Sequence, residues 1–131
     1  MSADIAFAAL GAERFVSLTT YRRSGEPVST PVWVASDGDA LVVTTPADSG
    51  KVKRLRHTPR VELRPCSRTG RLREAAPPVA GTAEVLSDSG SRERLTGLIR
   101  RKYGIEYRVV MAIERLSRSG RRPRVLLRIT R

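Results

Sequence analysis

The stretch LVVTTPADSGKVKRLRHTPRVEL, residues 41–63, decides how the fold is read. It opens on a continuous apolar strand centre, Leu41-Val42-Val43, within a strand Ala40 to Thr45 that Pro46 ends. Asp48 or Ser49 then caps a short helix running to about His57, where Thr58-Pro59 stops it. Val61 to Cys66 reads as the next strand. The first amides of such a helix lack internal partners and, with the helix dipole, favour an anion. Lys51 lies in the first turn, and Arg54 follows one turn later on the same side. Ser49 and Thr45 add hydroxyls, while Val52 and Leu55, also three apart, anchor the opposite side in the core. Lysine supplies a point charge and arginine a planar fork, the components of a phosphate cradle. A capped surface helix with a hydrated basic face has the same local pattern.

Outward from this segment, Phe15 to Tyr21 alternates as a strand rich in β-branched and aromatic residues. Ser24-Gly25 marks a turn. Pro27 to Ala35 reads as a second strand with Val28, Thr30, Val32 and Val34 on one face, and Pro31 requires an edge or an irregularity there. Asp37-Gly38 is a hairpin signal. Beyond an arginine-rich loop at 67–77, Val79 to Leu86 reads as a fifth strand with Gly81 at a bulge. The period then becomes helical. Leu95, Leu98, Ile99 and Lys102/Tyr103 share one face, with Ser89 or Ser91 as caps, and Gly104 interrupts before Val109, Val110, Ile113 and Leu116 give a second face. A polar loop, residues 117–122, leads to a last alternating strand, Pro123 to Thr130. Ile5 to Leu10 reads as a short helix packing on the domain, because no basic leader precedes it and Glu13-Arg14 follow. The expectation is one domain over residues 1–131, mainly β (α+β). It is a six-stranded antiparallel barrel with a short helix after the third strand and two helices before the last.

Charge narrows the partner classes. The net charge is +12, and it is uneven: residues 1–50 hold three arginines and six acids, while residues 51–131 hold 22 basic and seven acidic side chains. Such a surface attracts polyanions or a multiply charged small molecule. A hydrated basic surface, set by the arginine bias of the composition, explains the charge equally well. Lysines are few, and two of the three, Lys51 and Lys53, fall in the short helix.

Several chemistries lack their residues. The single histidine, His57, has no acid directed at it in sequence, and it reads as a surface residue at a helix end. No His, Cys and carboxylate cluster has metal-ligand spacing. Neither a Walker sequence nor a dinucleotide glycine motif is present. Cys66 reads as a small buried strand residue, and one cysteine excludes an intrachain disulfide, as fits a reducing cytoplasm. No apolar run approaches the roughly 20 residues of a membrane span. Nucleic acid is a weak expectation, since no recognition helix is evident and aromatics make up 5%.

The strand PVSTPVW (27–33), the Ser-x-Lys-x-x-x-Leu segment (Ser49, Lys51, Leu55), the start of the next strand at Pro59 to Val61 and the RKYG at Arg101 to Gly104 resemble one superfamily. It is the pyridoxamine-phosphate-oxidase-like split-barrel superfamily, in particular its F420-using oxidoreductases. The resemblance runs from about Phe15 to Ile129. It implies a split β-barrel homodimer with coenzyme F420, or alternatively FMN, in a groove between subunits. The phosphate would lie near Ser49, Lys51 and Arg54, and ring contacts would come from Val32, Trp33 and the backbone of Val43, Thr44 and Thr45. Related members carry an arginine two residues before the lysine and an asparagine three after it; Ser49 and Arg54 stand there. The anionic tail of F420 suits the basic segment, with Arg56, Arg60, Arg68, Arg71 and Arg73 as contacts. Trp33 serves either the core or a bound ring.

The function implied is hydride transfer from reduced deazaflavin to an electron-poor small molecule. The rivals are an FMN-dependent oxidase or reductase on the same barrel and a non-catalytic carrier of F420 or another anionic ligand. Tyr21, Tyr103 and Tyr107 are proton-donor candidates by residue type alone, beside water.

Overall fold

A computed structural model describes residues 2–73, 76–117 and 123–131. Seven strands form one antiparallel sheet: β1 (Val16–Tyr21), β2 (Pro27–Val32), β3 (Ala35–Asp37), β4 (Ala40–Pro46), β5 (Arg60–Pro65), β6 (Val79–Leu86) and β7 (Arg124–Thr130). Four α-helices accompany them: α1 (Ser2–Ala9), α2 (Gly50–Leu55), α3 (Ser89–Tyr103) and α4 (Ile105–Ser117). The strand order is β2-β1-β5-β6-β7-β4-β3. Its two edge strands, β2 and β3, are consecutive in the chain and joined only by Trp33 and Val34. The sheet must therefore curl to bring these edges near one another without pairing them, which makes a half-barrel.

The count is seven strands rather than six. The expected strand Pro27 to Ala35 breaks after Val32, and Ala35–Asp37 pairs with β4 instead, Ala35 opposite Val42. The short helix consequently follows the fourth strand. Pro31 sits in edge strand β2, as its missing N–H requires.

Alternation along the strands sorts side chains between two apolar clusters. Val16, Leu18, Val43, Val61, Leu63, Leu127 and Ile129 fill the barrel interior, and Phe7 of α1 and Leu10 just after it close it. Ala35, Val42 and Leu126 on the outer face meet Leu95, Ile99 and Tyr103 of α3. The helical face expected for α3 is therefore the buried one. Its cap is Asp88, whose carboxylate accepts from the Ser91 amide at 2.9 Å, rather than Ser89 or Ser91. Gly81 makes no bulge and pairs in register with Val61. A Cβ there would lie 3.0 Å from Ile129 Cγ2 and 3.2 Å from Phe7 Cε1, tighter than ordinary contact, so the packing under α1 favours the glycine.

Gly104, at φ 55°, ends α3 and starts α4. The second helical face then behaves unlike the first: Ile105, Val109, Ile113 and Leu116 are all solvent-exposed. Of the polar loop 117–122, positions 118–122 lie outside the described residues, as do positions 74–75 of the basic loop.

Candidate functional site

At the carboxyl end of β4 the chain turns through Ala47–Ser49 into α2. Ser49 caps the helix, its Oγ accepting from the Val52 amide at 3.4 Å. Thr45 donates its hydroxyl to the same Ser49 oxygen at 3.1 Å. Both hydroxyls are thus engaged in the turn, and the helix is only six residues long. Val52 and Leu55 are buried, as their spacing requires.

Lys51 and Arg54 part company. The Arg54 Nε donates to Thr20 Oγ1 on β1 at 2.6 Å, and its guanidinium folds back over Gly50, 2.7 Å from where a Cβ would stand. Arg54 therefore ties α2 to the sheet. Lys51 instead lines an open pocket of about 250 Å³. Phe15, Pro31, Val32 and Trp33 form one side of this pocket, and Thr44, Thr45, Pro46, Lys51 and Arg124 form another. Val110, Met111 and Glu114 of α4 complete it.

Of the residues singled out from sequence, the pocket gathers Val32, Trp33, Thr44, Thr45 and Lys51. Ser49, Arg54 and Arg56 are not among its lining residues: Ser49 caps, Arg54 is held by Thr20, and Arg56 is exposed at the helix end. Sequence reading missed Arg124, Glu114, Val110 and Met111. Arg124 was within reach, because alternation in the last strand places it on the same face as Leu126, opposite the end of β4. Glu114 was within reach too, since it falls off the apolar stripe of α4.

Arg124 is fixed from two directions. Its Nε donates to Thr44 Oγ1 at 3.1 Å, and its Nη1 donates to both Glu114 oxygens at 2.9 Å. Lys51 has no carboxylate or hydrogen-bond partner among the described residues. Burial holds its ammonium below the ordinary lysine pKa, and the neighbouring charges of Arg54 and Arg124 push it further the same way. A half-buried cation beside two others attracts an anion.

Trp33 serves both the core and the pocket. Its indole stacks on Tyr103, with centroids 4.4 Å apart and planes 15° apart, and Tyr107 tilts beside it at 6.3 Å. The RKYG segment locks this arrangement. Tyr103 Oη accepts from the Val34 amide at 3.0 Å and lies 2.8 Å from the Arg14 carbonyl. Lys102 Nζ donates to the carbonyls of Gly11 at 2.8 Å and Val34 at 2.6 Å. Both residues pin the link between the two sheet edges. Burial raises the Tyr103 pKa, and its hydroxyl is engaged by backbone. Tyr21 lies outside the pocket, under the Arg60 guanidinium at 4.1 Å.

The loop arginines divide. Arg73 forms a bidentate pair with Glu13 at 3.0 and 3.1 Å. Arg68 lies over Phe15, 5.9 Å from the ring centroid, and 3.7 Å from Glu106. Arg56 and Arg71 are exposed, without side-chain partners among the described residues. His57 is exposed and faces Arg23. Burial, then Glu13, raises the thiol pKa of half-buried Cys66, which leaves it a poor nucleophile. No cluster of metal-binding side chains occurs among the described residues. No helix among them is long and apolar enough to cross a membrane.

Comparison with known proteins places this geometry. A conserved hypothetical protein of Mycobacterium tuberculosis superposes with a TM-score of 0.66 at 23% identity, covering 98% of this chain and 78% of that one. A FAD-binding protein of Mesorhizobium loti gives 0.65 at 18% identity, over 99% and 87%. An F420 reductase gives 0.59 at 18% identity, over 95% and 91%. At such identities the likeness is one of fold. No curated protein matches the sequence. The family model for pyridoxamine 5'-phosphate oxidase matches residues 4–131. With nearly the whole sequence and the curled antiparallel sheet accounted for, the chain belongs to the pyridoxamine 5'-phosphate oxidase family.

Proposed function

We propose that this protein is an F420-dependent oxidoreductase whose cofactor docks in the pocket between β2, β4 and α4. The carrying observation is Lys51: a half-buried ammonium without an acid partner among the described residues, set beside threonine hydroxyls and facing an apolar wall. That combination suits a ligand with a flat apolar ring and an anionic arm. Val32, Trp33, Val110 and Met111 would cover the ring, and Lys51 with Arg124 would hold the phosphate. Bound deazaflavin supplies the hydride; the protein contributes binding, orientation and exclusion of water. The pocket, at about 250 Å³, is below the roughly 300–1,000 Å³ that encloses a drug-sized ligand. It would therefore take in part of such a cofactor and leave the tail outside. One structural neighbour is an F420 reductase.

We further propose a homodimer. The exposed stripe Ile105, Val109, Ile113 and Leu116 lies on the helix whose other side lines the pocket. A second copy covering it would bring its own surface beside the cofactor groove.

An FMN- or FAD-binding enzyme on the same barrel is the second reading, favoured by the FAD-binding neighbour. Parallel titrations with F420 and FMN at two salt concentrations decide between the two. Tighter, salt-sensitive F420 binding is expected, and a preference for FMN would move the chemistry to flavin. Oxidation of reduced F420 by activated double bonds then separates an enzyme from a carrier.

A further inference from the structure

Phe15 and Trp33, the aromatic residues of the pocket lining, stand just past the end of a ladder. The β1–β2 pairing stops at Val16 opposite Val32, so the sheet register does not reach the next positions outward, Phe15 and Trp33. The Cys66 amide ties Phe15 toward β5, donating to its carbonyl at 3.2 Å. The segment before β1 and the link after β2 then meet at one ammonium. Lys102 Nζ donates to the carbonyls of Gly11 at 2.8 Å, Glu13 at 2.5 Å and Val34 at 2.6 Å. An ammonium has three N–H donors, and three carbonyls use all of them. The neighbouring Tyr103 hydroxyl joins the same two stretches, accepting from the Val34 amide at 3.0 Å and lying 2.8 Å from the Arg14 carbonyl. The end of α3 thus holds the backbone just before Phe15 and just after Trp33.

We propose that Lys102 is a positioning residue for this pocket: by clipping the segment before β1 to the link after β2, it fixes the aromatic side against which a flat ring lies. The proposal rests on the reading of the pocket as a cofactor site. Lys102 is not in the lining, and it acts through the backbone of Glu13 and Val34. Its chemistry suits that task. Methionine has a similar reach but leaves three carbonyls without their donor. Arginine keeps the charge but spreads its donors over a planar fork, which cannot serve three carbonyls gathered around one point. Without the clip, a bound ring must order Phe15 and Trp33 itself, which weakens its affinity. The phosphate end is placed separately, since Thr44 and Thr45 stand on β4 and Lys51 on α2.

Trp33 is the only tryptophan, so its emission reports on the aromatic side alone. Ligand-free wild type, Lys102→Met, Lys102→Arg and Val61→Ala are compared by emission maximum and anisotropy at a temperature where circular dichroism shows each to be folded. F420 and the phosphate-free deazaflavin are then titrated into each by calorimetry. Val61→Ala opens a cavity in the barrel interior, away from the clip, and controls for lost stability. Lys102→Met is expected to shift Trp33 emission to the red, lower its anisotropy and weaken both ligands about tenfold, the effect of leaving the ring to order the side chains it meets. Lys102→Arg is expected to fall between it and wild type, and it supplies the same reading should Lys102→Met not fold. Lys51→Ala, by contrast, is expected to weaken F420 far more than the phosphate-free ring. Wild-type emission from the Lys102 variants, or wild-type affinity for the phosphate-free ring, would overturn the role of Lys102 and leave the pocket assignment intact. Equal losses in Val61→Ala would mean that stability, not position, is responsible, and would also overturn it. Failure of wild type to bind either ligand would overturn the cofactor reading, and Trp33 emission alone would then uphold or overturn the clip.

Discussion

Trp33 lies face to face with Tyr103, ring centroids 4.4 Å apart, and the Tyr103 hydroxyl reaches past it to the backbone of Val34 and Arg14. One tyrosine therefore packs the pocket's indole and satisfies the buried link between the two sheet edges. Tyr103→Phe keeps the stack and removes the hydroxyl. It should destabilise the protein by about 1–3 kcal/mol, the expected effect of leaving a buried amide unpartnered. Urea unfolding checks this, and an unchanged midpoint would mean that water replaces the hydroxyl.

Lys51 sits where its charge is costly to the fold and useful to a ligand. Lys51→Met should abolish tight binding of an anionic cofactor and yet stabilise the ligand-free protein. The gain is up to about 1 kcal/mol, the limit that screening leaves a half-buried charge. Because its folded pKa is lowered, the penalty is full below that pKa and fades as pH rises toward 10.5. The stability gap between variant and wild type should close over that window, as denaturation at a series of alkaline pH values would reveal.

Arg54 was expected to share the phosphate with Lys51, and its bond to Thr20 gives it another task. Arg54→Ala should lower stability by about 1–3 kcal/mol, as loss of a charge-assisted hydrogen bond does. Its effect on ligand affinity should be smaller than that of Lys51→Ala. The reverse ranking in parallel titrations and melts would restore Arg54 as a ligand contact.

Asp37, at the β3–β4 hairpin, accepts from Arg94 at 2.9 Å and from Arg128 at 3.0 Å. These bonds, Arg94 first, hold its carboxyl below the ordinary value of 3.8. The stabilisation is fully present above 3.8 and is lost as pH falls through the lowered pKa. Asp37→Asn should flatten the acid limb of the stability curve in that window. A variant as acid-sensitive as wild type would contradict this.

The stripe on α4 predicts assembly. Ile113→Glu should convert a dimer to a monomer in sedimentation velocity, while a wild type that sediments as a monomer would remove the proposal.

What the sequence made legible follows its periodicities. The interior strands and the buried face of α3 were readable because residues such as Leu18, Leu63, Leu95 and Ile99 repeat at the spacing of their element. The break between Val32 and Ala35 was not, since Trp33-Val34 continues the same alternation. Only the pairing of Ala35 with Val42 across the sheet separates β3 from β2. In the site, Lys51 and Thr45 were legible from local order, and Thr44 came only with the family resemblance. The diversion of Arg54 to Thr20 depends on a contact 34 positions away, and Glu114 meets Arg124 only because α4 folds over the end of β7. The apolar stripe of α4 was legible as a face, and its exposure was not, because periodicity reports that a face is apolar and not what covers it.

The central claim is that the cofactor lies between β2, β4 and α4 with its phosphate on Lys51. A crystal structure of the protein with F420 tests this most directly. The account predicts a phosphate oxygen within hydrogen-bonding distance of Lys51 Nζ and the ring against Val32 and Trp33. Density for the cofactor elsewhere, such as the outer groove of β1, β2 and β5 around Thr19, Ser29 and Arg64, would contradict it.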